Sequence, residues 1–182
     1  MKFQGIILDL DGVICFTDQY HYQAWKQLAD REGIPFDKTI NNRLRGVSRM
    51  ESLEIILERA NRVYSPEEKE HLAREKNARY QELLQQMSPR DLSNQGFSTL
   101  EALRGQGLKL VIGSSSKNTP FILERLGLSN YSDAVSDGNN ITHSKPDPEV
   151  FLKAAELLGL PPETCLVVED ALSGVQAAHA GG

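Results

Sequence analysis

The sequence has little cysteine and no long hydrophobic run, and these shortages exclude several classes of protein. Its 182 residues include two cysteines, Cys15 and Cys165, which form neither a disulfide framework nor a metal-binding spacing. No stretch approaches the roughly 18 consecutive apolar residues of a membrane span. No basic and apolar leader with a cleavage site precedes the first predicted strand, so we expect no signal peptide. These features favour a cytoplasmic protein with free thiols.

Basic residues are also scarce relative to acidic ones. The chain carries 20 Lys and Arg against 25 Asp and Glu, which gives a formal net charge of −5. Because nucleic acids and anionic membranes are bound by basic surfaces, this balance argues against both partners. The length is sufficient to bury a sizeable core. Nothing in the sequence signals an oligomer, so we expect a monomer that acts on a small molecule.

The most informative motif lies near the N-terminus. An apolar segment at residues 3–8 is followed by Asp9, Asp11 and Gly12. A strand places residues i and i+2 on one side, so both carboxylates are expected to project from its carboxyl end, where open α/β sheets bind ligands. Two close carboxylates repel each other unless a cation or proton separates them, and Mg²⁺ prefers such oxygen ligands. The alternative is an acidic turn that binds nothing.

After the first strand, the predicted secondary structure is first entirely helical and then alternates between helices and strands. Up to residue 88 the pattern is helical, with a predicted helix over 18–32 and capping boxes at Ser48 and Ser65 that begin two more, the last running to about Met87. From about residue 94 helices and strands alternate, which is typical of βαβ units in a parallel sheet. The predicted strands are 108–112, 134–135 and 166–168, and the predicted helices are 95–105, 119–127, 147–158 and 173–180.

These patterns predict an α/β protein with a doubly wound parallel-sheet core and an inserted α-helical cap domain. We place the core at residues 1–15 and 89–182 and the cap at residues 16–88. A doubly wound sheet normally continues with a further strand after the last predicted helix. We therefore expect that the C-terminal strand of the full fold is missing from this sequence.

Polar residues follow the later predicted strands as well. Ser114 to Asn118 open a helix with hydroxyls, a lysine and free amides, which is typical of a phosphate-binding loop. Lys145 precedes a rigid Pro-Asp-Pro segment, and Glu169 and Asp170 directly follow the last strand. Each feature taken alone has an ordinary structural interpretation. Residues 114–118 could be a serine-rich loop with Asn118 as N-cap, and Lys145 could be a solvated loop lysine. Glu169 and Asp170 could simply compensate the dipole of the following helix. Together, in this chain order, they suit one site.

The order of these motifs resembles the haloacid dehalogenase superfamily of phosphotransferases. Asp9-Leu10-Asp11-Gly12 matches its DxDG motif, and Ser114, Lys145 and Glu169-Asp170 match its later motifs. The helical insertion is similar to its C1-type cap, and the cap motifs are similar to those of the β-phosphoglucomutase family. Those motifs are His21-x-x-x-Trp25, Leu44-Arg45-Gly46-Val47-Ser48-Arg49, Ser52, Lys76 with Asn77, and Ser114-x-Ser116-Lys117-Asn118.

This resemblance implies a mechanism. The chain would interconvert β-D-glucose 1-phosphate and glucose 6-phosphate through an aspartyl-phosphate and β-glucose 1,6-bisphosphate. Asp9 would be the nucleophile and Asp11 the general acid/base. Ser114 and Lys145 would contact the transferring phosphoryl group. Mg²⁺ would be held by the Asp9 carboxylate, the Asp11 main-chain carbonyl and Asp170, with Glu169 beside them.

The resemblance also implies how the substrate is bound. A second, non-reacting phosphate would be held by four residues, Arg49, Ser116, Lys117 and Asn118. His21 would help to position the Asp11 loop, and Trp25 would line the sugar pocket. The segment Arg45-Gly46-Val47 would be a mobile loop over the substrate, and Ser52 and Lys76 would complete the substrate-binding set. Lys76 falls on an apolar stripe, where a lysine is costly unless it is paired or faces a cleft.

Two departures keep other functions open. Phe16 stands where the family usually has an acid, and Arg45 replaces the usual lysine. The Phe16 departure makes a sugar-phosphate phosphatase of the same fold the main alternative, which would release free phosphate without forming the isomer. A non-catalytic fragment that binds Mg²⁺ and a sugar phosphate is the third reading.

Overall fold

A computed structural model describes residues 3–92 and 94–182. Its four strands are β1 (Gly5–Leu8), β2 (Lys109–Gly113), β3 (Ala134–Ser136) and β4 (Cys165–Val168). All strand pairs are parallel, and the order across the sheet is β3-β2-β1-β4. Each connection between consecutive parallel strands contains helices, as such a sheet requires. The structure confirms the predicted α/β class with a parallel sheet.

The helices in the described residues carry the rest of the fold. They are α1 (Asp18–Arg31), α2 (Lys38–Arg43), α3 (Arg49–Leu57), α4 (Pro66–Leu84), α5 (Asn94–Gly105), α6 (Thr119–Arg125), α7 (Glu149–Leu158) and α8 (Leu172–Ala180). Both predicted capping boxes are present, at the starts of α3 and α4. Helix α4 ends at Leu84, slightly before the predicted Met87, and α2 was not predicted. Among these described helices, none is long and apolar enough to cross a membrane.

The register of the sheet brings the two ends of the chain together. Leu8 at the end of β1 pairs with Val168 at the end of β4 on one side and with Ile112 of β2 on the other. The Asp9 N–H continues this pairing by donating to the Val168 carbonyl at 3.0 Å. The residues that follow β1, β2 and β4 therefore emerge side by side at the carboxyl edge of the sheet.

Three apolar clusters hold these layers together. One sheet face, with Leu8 and Leu110, packs against Tyr20 of α1 and Tyr80 of α4. The other face packs against α7. The third cluster lies among the helices alone, and it includes Trp25 of α1 and further residues of α3 and α4. Helices α1 and α4 therefore belong to both the sheet cluster and the helical cluster, while the domain boundaries at residues 15–16 and 88–89 stay a prediction.

Candidate active site

A cavity of about 1220 Å³ lies between the carboxyl edge of the sheet and the helical block. Every site residue predicted from the sequence lines it: Asp9, Asp11, His21, Trp25, Arg45, Gly46, Val47, Arg49, Ser52, Lys76, Ser114, Ser116, Lys117, Asn118, Lys145, Glu169 and Asp170. The fold thus gathers residues from four strand ends and four helices or helix-flanking loops around one space. Their individual roles remain predictions.

Lys145 is the charged centre of the sheet side of this cavity. Its side chain is 1% exposed, and its Nζ donates to Asp9 Oδ1 at 2.5 Å and to Glu169 Oε2 at 2.6 Å. The ammonium group therefore bridges the carboxylates that follow β1 and β4. One positive charge faces two negative ones, so the buried group is not electrically balanced by these three side chains alone.

The pKa of Asp9 is set mainly by its burial and only secondarily by these neighbouring charges. Burial raises the pKa of Asp9 to about 7, with Lys145 opposing the increase and Glu169 adding to it. Burial disfavours the ionised form of any carboxyl group, and a neighbouring cation favours it. A second cation beside Asp9 and Glu169 would therefore be favourable, because Lys145 balances only one of these two carboxylates.

Three carboxylates at this edge could hold such a cation. One oxygen each from Asp9, Glu169 and Asp170 lies within 4.8 Å of the other two. A set made only of carboxylate oxygens suits a hard divalent cation such as Mg²⁺. Gly12 has a φ of 94°, and a Cβ at this position would clash with the Asp170 carboxyl group. The loop after β1 therefore needs this glycine to approach Asp170.

Asp11 is held separately from these carboxylates. Strand β1 ends at Leu8, so strand alternation does not govern Asp11, and its carboxylate turns to Thr17. The Thr17 backbone N–H donates to Asp11 Oδ1 and the Thr17 hydroxyl to Oδ2, both at 2.7 Å. The buried Tyr80 hydroxyl donates in turn to Thr17 Oγ1 at 3.0 Å. Burial raises the pKa of Asp11, and these bonds from Thr17 oppose the increase.

The helical wall of the cavity is positively charged. Lys76 is 3% exposed, and its Nζ lies 2.8 Å from His21 Nδ1 and 4.7 Å from the centre of the Trp25 ring. Burial and the nearby Arg49 hold the pKa of Lys76 well below its usual value. Burial, Lys76 and Arg49 lower the pKa of His21 in the same way. The 2.8 Å contact places Lys76 and His21 in one buried cluster, in which each disfavours the protonation of the other.

These cations lack carboxylate partners in the part of the chain that the structure describes. Neither Lys76 nor Arg49 forms an ion pair within 4.0 Å there, whereas Lys145 across the cavity forms two. Burial lowers the pKa of the Arg49 guanidinium. Buried charges are normally paired, so an anion in the cavity would supply the missing partner and favour the protonated forms of these side chains.

The loop after β2 lies between the two charged walls. Ser114 is buried, and its hydroxyl accepts from the Ser116 N–H at 3.2 Å, while the Ser116 hydroxyl accepts from the Asn118 N–H at 3.1 Å. Lys117 is exposed at the tip. The Asn118 side chain makes no capping bond to α6 and instead contacts α4. Asn118 therefore occupies the N-cap position of α6, as the alternative interpretation expected, but its side chain does not cap the helix.

The loop before α3 contacts the core directly. The Arg45 guanidinium lies 3.3 Å from Asp18 and 3.7 Å from Asp170. The Ser173 hydroxyl in the first turn of α8 donates to the Arg45 carbonyl at 3.2 Å. Gly46, with a φ of 73°, passes so close that a Cβ there would clash with Ser173 Oγ. This loop therefore bridges the helical block and the carboxylate cluster.

Sequence reasoning missed several residues that complete the site. Thr17, Tyr80 and Gln81 hold other site residues in place, yet no local motif marks them. The contacts of Tyr80 and Gln81 join residues distant in the chain, and Thr17 turns back to Asp11 only because of the loop that follows β1. Tyr80 reads simply as part of the apolar face of α4. Phe16 is 68% exposed and lines the cavity, which is consistent with its position beside the Asp11 loop.

Comparisons with known proteins agree with this geometry. The family model of haloacid dehalogenase-like hydrolases matches residues 3–182. The chain is 41% identical over 181 residues to the β-phosphoglucomutase of Bacillus subtilis, covering 98% of this chain and 80% of that protein. It is 32% identical over 183 residues to a phosphorylated carbohydrates phosphatase of Thermotoga maritima, covering 98% of this chain and 82% of that protein.

Solved structures give the same assignment. A crystal structure of β-phosphoglucomutase from Clostridium difficile superposes with a TM-score of 0.93 and 38% identity, covering 98% of this chain and 81% of that one. This similarity extends over the sheet, the helical insertion and the strand ends that line the cavity. The protein therefore belongs to the haloacid dehalogenase-like hydrolase family, and within that family it is similar to the β-phosphoglucomutases.

Proposed function

We propose that the protein is a Mg²⁺-dependent β-phosphoglucomutase, which interconverts β-D-glucose 1-phosphate and glucose 6-phosphate through β-glucose 1,6-bisphosphate. The observation that carries the proposal is the pair Arg49 and Lys76. These two basic side chains line the same cavity as Asp9, and neither forms an ion pair with a carboxylate in the part of the chain that the structure describes. An enzyme that transfers phosphate between two ends of a sugar must hold one phosphate while the other reacts.

Asp9 is the group that accepts the phosphoryl group. One Asp9 oxygen attacks the phosphorus of a bound bisphosphate, the bond from phosphorus to the sugar oxygen breaks, and an aspartyl-phosphate forms on Asp9. Lys145, already in contact with Asp9, orients the carboxylate and lies where it can offset charge on the phosphoryl oxygens. Ser114 lines the same side of the cavity and can donate to one of these oxygens.

Asp11 moves the proton in both half-reactions. It protonates the sugar oxygen that leaves phosphorus, and it later removes the proton from the hydroxyl that attacks the aspartyl-phosphate. The raised pKa of Asp11, caused by burial, favours a carboxyl group that can carry this proton. Thr17 holds this carboxylate in the present structure, so Asp11 has to leave one Thr17 bond to reach a sugar oxygen.

A divalent cation fits the carboxylate cluster and would be held by Asp9, Glu169 and Asp170. The family resemblance adds the main-chain carbonyl of Asp11 to this set. When bound, Mg²⁺ would supply charge stabilisation for the transferring phosphoryl group. At the other end of the cavity, Arg49, Ser116, Lys117 and Asn118 would hold the phosphate that does not react. The guanidinium plane of Arg49 suits phosphate oxygens better than an ammonium group does.

A sugar-phosphate phosphatase is the second candidate. It is supported by the Thermotoga maritima relative, a phosphatase of phosphorylated carbohydrates. It is also supported by Phe16, an exposed aromatic side chain beside the Asp11 loop. A phosphatase would let water attack the aspartyl-phosphate and would not need two matched phosphate sites.

A coupled assay separates these candidates. The reaction contains Mg²⁺, β-glucose 1-phosphate and a trace of β-glucose 1,6-bisphosphate, and both glucose 6-phosphate and free phosphate are followed. The proposal expects glucose 6-phosphate from the β-anomer but not the α-anomer, with no product from an Asp9→Ala variant. Free phosphate as the sole product would assign the phosphatase instead.

Arg49→Ala tests the observation that carries the proposal. Because a charge-assisted hydrogen bond to an anion is lost, we expect kcat/KM for the bisphosphate to fall about 10- to 100-fold. Arg49→Lys keeps the charge without the planar fork and should lose less. Arg79→Ala is the matched control, since Arg79 pairs with Glu82 on the exposed face of α4. Unchanged kinetics in Arg49→Ala would remove the basis for a second phosphate site.

The proposal includes the remaining sequence predictions. The protein would act as a cytoplasmic monomer on a free sugar phosphate, with residues 16–88 as the cap and residues 1–15 and 89–182 as the core. The acidic net charge of −5 supports a small-molecule substrate over a nucleic acid. Size-exclusion chromatography with light scattering measures the oligomeric state directly.

A further inference from the structure

The side chain of Asn118 is held by hydrogen bonds to residues outside its own loop. It is 6% exposed at the start of α6, and both ends of its amide contact helix α4. Gln81 Nε2 donates to Asn118 Oδ1 at 2.9 Å, and Asn118 Nδ2 donates to Asn77 Oδ1 at 2.9 Å. Asn77 and Gln81 are one helical turn apart and share a face of α4, so they act on the amide together.

These two hydrogen bonds leave one N–H of the Asn118 amide available. A primary amide has two N–H donors and one carbonyl oxygen. Gln81 occupies the carbonyl, and Asn77 accepts one N–H, so one N–H of Asn118 is not used by α4. Asn118 lines the cavity beside Ser116 and Lys117. The amide therefore offers the cavity a donor, which an anion can accept.

The same contacts disfavour the opposite orientation of the amide. Rotating Asn118 by half a turn would put its NH₂ group against the NH₂ group of Gln81 and its carbonyl against the carbonyl of Asn77. Both contacts would be repulsive unless all three amides reversed together. A reversed Asn118 would also place its carbonyl oxygen where Nδ2 now lies, which removes the donor on that side.

We propose that Gln81 and Asn77 are positioning residues for the second phosphate, which act by fixing the Asn118 amide with a donor toward the cavity. This inference rests on the proposed function, because it concerns the phosphate site at Arg49, Ser116, Lys117 and Asn118. Gln81 is exposed at its outer side and does not need to touch the substrate. Helix α4 thus contributes to anion binding through a residue of the core.

Gln81→Leu tests this positioning role. We expect the Kd for β-glucose 1,6-bisphosphate, measured by calorimetry without divalent metal, to rise about three- to tenfold because Asn118 loses its restraint. Gln81→Glu should raise it further, because a carboxylate accepts from the amide and favours its reversal. Gln85→Leu and Gln85→Glu are the matched controls, since Gln85 is exposed one turn further along, and both should bind like the wild type once the added charge is allowed for.

A second measurement separates positioning from general damage. Acetyl phosphate carries one phosphoryl group and does not need the second phosphate site. Its kcat/KM with Mg²⁺ should change less than twofold in Gln81→Leu, while KM for the bisphosphate rises. A parallel loss with both substrates, or a bisphosphate Kd equal to that of the wild type, would overturn the positioning role alone. If wild-type protein binds the bisphosphate no more tightly than glucose 6-phosphate, the second phosphate site and the proposed mutase both fail.

Discussion

At the scale of single residues, the group formed by Asp9, Glu169 and Lys145 contains more negative than positive charge in a buried place. Such an arrangement is poor for stability, because an unmatched buried charge costs free energy. It suits a site that receives a cation and then a phosphoryl group. Under the proposed function, the excess negative charge is offset when the cation and the phosphoryl group bind, and the free protein bears its cost.

Asp9→Asn should reveal this cost. The pKa of Asp9 is about 7 in the folded chain against 3.8 as a free group, so between pH 4 and 7 the native state binds a proton that the unfolded state does not. Asp9 therefore contributes stability below about pH 4 that is lost as the pH rises toward 7. We expect the variant to gain stability relative to the wild type at pH 8, on the order of a few kcal/mol.

The measurement is urea unfolding in EDTA at pH 4.5 and pH 8. Asp30→Asn is the control, because Asp30 is exposed and pairs with Lys26 on α1. Its effect should not change in this way between the two pH values. A difference between Asp9→Asn and wild type that is equal at both pH values would contradict the assigned cause.

Individual site residues could be predicted unevenly from the sequence. Asp9, Lys145 and Glu169 directly follow strands or lie in loops at the sheet edge, and strand ends can be located from local patterns. Thr17 and Tyr80 could not be found in this way, because their bond spans 63 positions. Local pattern therefore located the groups that face the cavity, and only folding revealed the groups that hold them.

At the scale of elements, α4 has a defined start and two different packing environments. Ser65 accepts from the Glu68 N–H, and the Glu68 side chain accepts from the Ser65 N–H, so the capping box is complete. The first half of the helix packs in the helical cluster and the second half against the sheet. Loss of order at its start would therefore affect the helical cluster first.

Ser65→Ala should lower the free energy of unfolding by about 1 kcal/mol, because an N-terminal backbone donor loses its acceptor. Ser65→Asp keeps an acceptor and should retain most of the stability. Urea unfolding at pH 7 measures both. Equal destabilisation by the two substitutions would indicate that the serine acts through something other than capping.

The elements also differ in how well they could be predicted. Helices α3 and α4 carry cap signatures followed by apolar spacing, and both begin where expected. Helix α2 was missed because its six residues include a threonine, an isoleucine and two asparagines, which favour helices weakly. Its N-cap, Asp37, and the burial of Ile40 in the helical cluster stabilise it instead. Tertiary packing, rather than helix propensity, determines whether a helix this short forms.

At the scale of the whole molecule, the loop at Arg45 and Gly46 makes a direct contact between the helical block and α8. Gly46→Ala would force the Ser173 hydroxyl away and break its bond to the Arg45 carbonyl. Because a residue with side chain is strained at positive φ, a further cost of roughly 1–2 kcal/mol is expected. We therefore expect a lower kcat/KM with sugar phosphates.

A double-mutant cycle with Ser173→Ala tests this contact. Both single substitutions break the same hydrogen bond, so the double variant should lose less than the sum of the two losses. Steady-state kinetics on all four proteins give the coupling. Simple additivity would mean that the two residues affect catalysis independently.

The pairing of β1 with β4 has a consequence for the timing of function. Asp9 precedes its neighbour Glu169 by 160 positions in the sequence, and β1 pairs with β4 across this separation. Contacts between such distant positions form late, because a long loop must close first. A chain emerging from the ribosome therefore cannot assemble the carboxylate cluster until β4 has been made and has docked beside β1, so the cluster forms only late in synthesis.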